Sequence, residues 1–151
     1  MRGVVLLAAA VCLGLATQIS SAGAATKTTV TFSDTVVSVG TPDRTWVKDD
    51  VLHIRGQPQT TAVTGDITGT FSLDANLNLD LTTGTGDLFG KFTLTTAAVT
   101  WAGSFAADIT VAGVSGTFVG QGTDGTKIVG TFTAIGPTTF LNEAVILDPH
   151  G

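Results

Sequence analysis

The feature that most restricts this chain is a recurrence of apolar-x-Gly-x-Phe set within strict two-residue alternation. The copies are Ile67-Thr68-Gly69-Thr70-Phe71, Leu88-Phe89-Gly90-Lys91-Phe92, Trp101-Ala102-Gly103-Ser104-Phe105, Val114-Ser115-Gly116-Thr117-Phe118 and Ile128-Val129-Gly130-Thr131-Phe132, and they use five of the eight phenylalanines. Side chains two apart share one face of a strand, so each copy lines up an apolar group, a gap and a ring. The last three steps are 13, 13 and 14 residues, about one strand plus its turn. Alternation continues around the repeat, with Ile67, Gly69, Phe71, Leu73, Ala75, Leu77, Leu79 and Leu81 in one phase and mainly Thr, Ser, Asp and Asn in the other. No helical period competes. Glycine at the centre of each copy lets a sheet coil sharply or lets a neighbouring ring approach. The expected fold is all-β, a single antiparallel β-barrel of about eight strands of calycin-like form, with a β-sandwich as the alternative.

Turn signals at Gly40-Thr41-Pro42-Asp43, Gly56-Gln57-Pro58, Thr83-Gly84-Thr85-Gly86-Asp87, Ala112-Gly113, Thr123-Asp124-Gly125-Thr126 and Gly136-Pro137 divide the pattern. They bound strands expected over about 27–33, 35–39, 51–55, 60–73, 77–81, 88–95, 99–111, 116–120, 127–134 and 139–147. The alternating run from Ile67 to Leu81 exceeds an ordinary strand, so a bend or break is expected near Asp74 to Asn76. Threonine, 28 of the 151 residues, is β-branched and suits the solvated face of such a sheet.

Chain length fits one domain. Lys+Arg is 7 against Asp+Glu 12 and no basic run exists, which excludes an electrostatic nucleic-acid binder. The longest apolar run, Val4 to Ala16, is 13 residues, too short for a helical membrane span. With Arg2 before it and Ala22-Gly23-Ala24 after it, that run reads as a cleaved secretory signal over residues 1–24. The domain is then residues 25–151, secreted or periplasmic, with Ala25 as its first residue. The single cysteine, Cys12, lies inside the leader, and Val11 before it does not suit lipid attachment. Without disulfides, stability of residues 25–151 rests on apolar burial.

Few residues suggest chemistry. Gly113-Val114-Ser115-Gly116 lacks nucleophile-elbow spacing, and with no cysteine left after cleavage thiol chemistry and structural zinc are excluded. Gly120-Gln121-Gly122-Thr123-Asp124-Gly125 matches G-x-G-x-x-G but leads into a strand, so it offers no helix N-terminus to a phosphate. Asp74, Asn76, Asn78 and Asp80 alternate like the start of a calcium loop, yet Leu79 stands where an EF-hand needs glycine. No metal site and no cofactor are expected.

The segment Trp46 to Arg55 gathers an aromatic, Asp49, Asp50, His53 and Arg55. Facing a lumen, His53 and Arg55 would orient the polar end of a ligand resting on Trp46, Trp101 and the phenylalanine row; facing outward, Arg55 would pair with a nearby aspartate. Glu143, the only glutamate, lies between Leu141 and Val145, where desolvation would suit it to acid–base work, or else at an edge or subunit contact. The candidate ligand-binding residues are thus Trp46, His53, Arg55, Trp101 and Glu143, with Glu143 and His53 as candidate catalytic groups.

The Gly-x-Phe strands, Thr83-Gly84-Thr85-Gly86-Asp87 before Leu88-Phe89-Gly90, and Gly120-Gln121-Gly122-Thr123 leading into Ile128-Val129-Gly130-Thr131-Phe132 give a chain that resembles small exported bacterial proteins of the allene oxide cyclase and dirigent barrel type. That resemblance implies an eight-stranded antiparallel barrel, often trimeric, whose apolar lumen steers cyclisation or coupling of hydrophobic small molecules by shape. Three functions are therefore expected in order. The first is a non-catalytic exported barrel that binds a small apolar molecule or forms a homo-oligomer. The second is a cyclase or isomerase acting in the lumen, and the third an extracellular structural or surface-assembly module.

Overall fold

The computed structural model describes residues 24–151, which contain nine strands: β1 (Thr26–Val39), β2 (Arg44–Lys48), β3 (Val51–Gly65), β4 (Gly69–Asp80), β5 (Gly86–Thr95), β6 (Thr100–Thr110), β7 (Gly113–Gly122), β8 (Lys127–Ala134) and β9 (Thr139–Asp148). The leader predicted over residues 1–24, Cys12 included, lies outside the described residues except for Ala24. Every neighbouring pair is antiparallel, in the order β1-β9-β8-β7-β6-β5-β4-β3-β2. A further β1–β3 pairing closes the sheet into an eight-stranded barrel, with β2 as an added ninth strand. Closure is made by β1 alone: Thr26–Thr35 pairs with β9 while Phe32–Val39 pairs with the second half of β3. The first half of β3 pairs instead with β2, across a two-residue turn in which Asp49 and Asp50 both adopt left-handed φ, 50° and 61°. Such a turn matches the twist of the flanking strands.

Several strand boundaries differ from the sequence expectation. No break falls at Asp34, and β1 is one strand. Gly56-Gln57-Pro58 is not a turn but part of a bulge inside β3, where the β4 partners step from Ile54↔Leu77 to Gln57↔Ala75. Gly56, with φ at +62°, takes the left-handed position that this bulge needs. The bend expected near Asp74 to Asn76 therefore falls on the opposite strand, and β4 runs unbroken. The expected strand 60–73 is divided at residues 66–68, where the Asp66 carboxylate accepts from the Thr31 N–H at 2.8 Å.

The phenylalanine repeat fills the barrel. Phe32, Phe71, Phe92 and Phe118 are buried and meet with ring centroids 5.4 to 6.4 Å apart, mostly edge to face. The glycines explain how they fit. A Cβ on Gly120 would lie 2.8 Å from the Phe92 Cζ, so the ring occupies the space that a side chain there would take. Leu94, Ile128, Val63, Ile67, Val99 and Trp101 complete the plug toward one end of the barrel, the end carrying both described termini. Toward the other end, the mouth, Phe105, Phe132 and Phe140 form a second, looser row at 6.3 and 6.0 Å. The β2–β3, β4–β5, β6–β7 and β8–β9 turns surround that mouth.

Candidate functional site

Between the plug and the mouth lies a half-enclosed chamber of about 70 Å³. Its walls are rings and aliphatic groups, chiefly Phe71, Phe105, Phe132, Phe140, Leu73 and Leu88, and its polar groups are Asp34, Gln59, Thr61 and Asn142. The position of Asp34 follows from alternation: Val30, Phe32, Asp34 and Val36 share the inner phase of β1, so an unbroken strand carries the carboxylate inward. Asn142 is delivered the same way by β9, two residues from Phe140. Asp34 and Asn142 are both buried, and the Asn142 amide Nδ2 donates to Asp34 Oδ1 at 2.7 Å. Burial pushes the Asp34 carboxyl above its ordinary range, against the opposing pull of Asn142 and the nearby Thr61 hydroxyl. Thr61 is wholly buried, and its Oγ1 finds no partner in hydrogen-bond geometry. It lies near enough to favour the carboxylate charge without completing a bond.

The phenylalanine row of the repeat borders this chamber, but none of Trp46, His53, Arg55, Trp101 and Glu143 does. Trp46, His53 and Arg55 do come together, but on the outer face of the β2–β3–β4 flap, because Leu52 and Ile54 occupy the inner phase. The Trp46 and His53 rings stack at 4.8 Å, and the Arg44 and Arg55 guanidiniums lie 4.8 and 5.3 Å from the Trp46 ring centroid. Arg55 pairs with no aspartate there. Its Nη1 donates to the Ile54 and Leu77 carbonyls, and its Nη2 to Asn78 Oδ1 at 2.7 Å. A guanidinium only donates, so the shared Asn78 atom is the amide oxygen, and His53 must present Nδ1–H to it at 2.8 Å. This cluster ties the bulge to β4. Its hydrogen bonds from Arg55 and His53 go to the protein's own backbone and to Asn78.

Trp101 is buried in the plug, where its Nε1–H donates to Thr126 Oγ1 at 2.9 Å. Thr126 in turn donates from both its hydroxyl and its N–H to Asp124 Oδ1, which holds the Asp124 carboxyl below the usual range. Glu143 is exposed on the outer wall, in register with Thr31 and Thr131. Three of the four oxygen side chains in the β4 row are also committed, and Asp74 faces the outer wall. Asn76 accepts from the Gly56 N–H, Asn78 serves His53 and Arg55, and Asp80 accepts from the Thr82 and Thr83 N–H groups. Among the described residues no group of three or more His, Cys, Asp or Glu side chains is placed to hold a metal ion.

A wider depression of about 720 Å³ crosses the outer wall over Ala102, Gly103 and Ser104, with Lys91 and Lys127 at its sides. It is open to solvent and too shallow to bury a ligand, so the chamber is the better candidate. No known protein family, no curated protein and no solved structure matches this chain.

Proposed function

We propose that this protein is an exported, non-catalytic barrel that holds a small, mostly apolar molecule in the mouth half of its lumen. One observation carries the reading: the plug stops short of the mouth and leaves an aromatic-lined chamber with a few polar groups at its inner end. Pockets that bind small molecules have this character, apolar walls with a few placed polar atoms. A binding role is preferred over cyclase or isomerase activity because a single ionisable side chain lines the chamber, which leaves no acid–base pair to move protons. Export rests on the composition of residues 1–24, and sequencing the N-terminus of secreted material should find Ala25 first.

The direct test is native mass spectrometry of protein recovered from its export compartment, compared with Phe132→Trp, which enlarges a ring of the chamber wall. A bound small molecule on the natural protein, absent from the variant, supports the reading. Bare protein in both, with no uptake of added C4 to C8 alcohols, overturns it.

A further inference from the structure

We propose that the chamber is specific for an alkylammonium ion, whose charged head sits among Asp34, Thr61 and Asn142 while its chain runs along the phenylalanine rings to the mouth. This rests on the lumen-binding reading above and names its ligand class.

Charge is the first argument. Asp34 is the one ionisable side chain among the residues lining the chamber, and no lysine, arginine or histidine of the described residues faces it there. A carboxylate this buried is costly unless a counter-charge or several donors reach it. The protein supplies one completed bond, from the Asn142 amide at 2.7 Å, and the Thr61 hydroxyl nearby, but no positive charge. For Asp34 to carry its charge here, the counter-charge has to be brought by a ligand.

Hydrogen-bond supply gives the same answer. Asn142 Nδ2 gives one of its two N–H groups to Asp34 Oδ1, and the inner end of the chamber then has more acceptor sites than donors: the other Asp34 oxygen, Asn142 Oδ1 and the unpartnered Thr61 Oγ1 against one remaining amide N–H and the Thr61 O–H. An ammonium group carries three N–H donors and no acceptor, which matches that surplus. A hydroxyl ligand offers one donor, and a carbonyl ligand none.

The walls and the volume agree with both. Phe71, Phe105, Phe132 and Phe140 surround the approach to Asp34, and aromatic rings attract a desolvated cation as well as its methylenes. The free volume, about 70 Å³, is about half of the roughly 150 Å³ cavity that accommodates benzene. It suits an ammonium head with its first few methylenes, the remaining chain lying at the mouth.

The test uses three probes of equal chain length, n-hexylammonium chloride, 1-hexanol and 2-hexanone, titrated calorimetrically into the purified protein and into Asp34→Asn and Thr61→Val. Charge-assisted bonds to Asp34 should make hexylammonium bind the natural protein about tenfold or more tightly than hexanol. Asp34→Asn should abolish that preference and leave hexanol binding in place, which also distinguishes the chamber from aspartates on the outer wall. Thr61→Val should weaken hexylammonium several-fold and hexanol less, and this second variant decides the matter if the first does not fold. Equal binding of hexanol and hexylammonium overturns the inference while sparing the lumen reading. So does tightest binding of hexanone, since Asp34 would then be a protonated donor. Failure of all three probes to bind removes both proposals together.

Discussion

Asp34 is the one carboxylic acid among the described residues that the barrel buries, and its partner Asn142 is buried with it. An acidic residue between Ser33 and Thr35 suggests a strand boundary, yet it stands in the same phase as Val30, Phe32 and Val36, and the pleat carries it inside. The phase was legible; the burial of a charge against it was not, because Asn142 lies more than 100 residues away in sequence. The consequence for stability has a definite sign. With its pKa raised in the barrel, Asp34 binds its proton more tightly folded than unfolded, so its contribution is present at low pH and lost as pH rises through the folded-state value. Asp80 and Asp124, held below the usual range by hydrogen bonds to Thr83, Thr82 and Thr126, act in the opposite direction, but they do so equally in a variant. Asp34→Asn should therefore gain melting temperature relative to the natural protein as pH is raised from about 3 to 8. A difference that stays flat over that range would place Asp34 in solvent. The phenylalanines divide in the same residue-by-residue way. The repeat alone suggests that Phe105→Ala costs about 3 to 5 kcal/mol, but Phe105 is only partly buried, in the loose row beside the chamber. The full cost of about 3 to 5 kcal/mol is expected instead for Phe118→Ala, whose buried ring meets Phe32, Phe71 and Phe92, with Phe105→Ala roughly half as costly. Denaturant unfolding of the two variants gives the order.

Elements were most legible where the repeat governs them. The strands β5 through β9 lie close to the stretches marked by alternation, since each is a hairpin neighbour with a clear turn between. Before Leu88 the glycine and proline signals are ambiguous. Gly56-Gln57-Pro58 reads as a turn, but Pro58 is tolerated within β3 beside the bulge, and the actual chain reversals fall at Asp49-Asp50 and at residues 66–68. The short β2 carries no strand signal in the sequence, because five residues with two cations show little alternation. Its clasp is the candidate cluster itself: Trp46 against His53, with Arg55 bridging carbonyls of β3 and β4. The hairpin turn carries a correctable strain, because two adjacent aspartates sit in the left-handed region and repel each other. The double substitution Asp49→Asn with Asp50→Gly gives the turn the pair of residue types that tolerates positive φ at both places, and it should stabilise the protein by about 0.5 to 1 kcal/mol. Thermal melts at neutral pH check this, and a lowered melting temperature would mean that the turn is not of the primed type.

At the scale of the whole molecule the barrel is polarised, and that polarity has a consequence for association. Closure removes most sheet edges, but β2 keeps one unpaired edge, and the end of β1 beyond Thr35 has β3 as its only strand neighbour. Both lie at the mouth. So do the most exposed aliphatic side chains: Val37, Val39 and Val47 on these strands, and Leu81, Val111 and Ile135 in or beside the turns, with Val111 90% exposed. Composition gave no sign of this, since single aliphatic residues in turns are unremarkable until alternate turns gather at one end of an up-and-down barrel. Barrel closure itself was legible, because ring-over-glycine packing on consecutive strands requires a strongly coiled sheet. These exposed aliphatic groups at one pole should draw copies together mouth to mouth as concentration rises, against the repulsion of two acidic chains. Val111→Ser combined with Ile135→Ser removes apolar groups that touch little, so the melting temperature should hardly change, within the roughly ±0.5 kcal/mol typical of such surface sites. Sedimentation velocity should show the natural protein shifting to larger species between micromolar and millimolar concentration, and the double variant remaining a monomer. If both sediment alike, the mouth stays free, and ligands reach the chamber without a partner copy having to separate first.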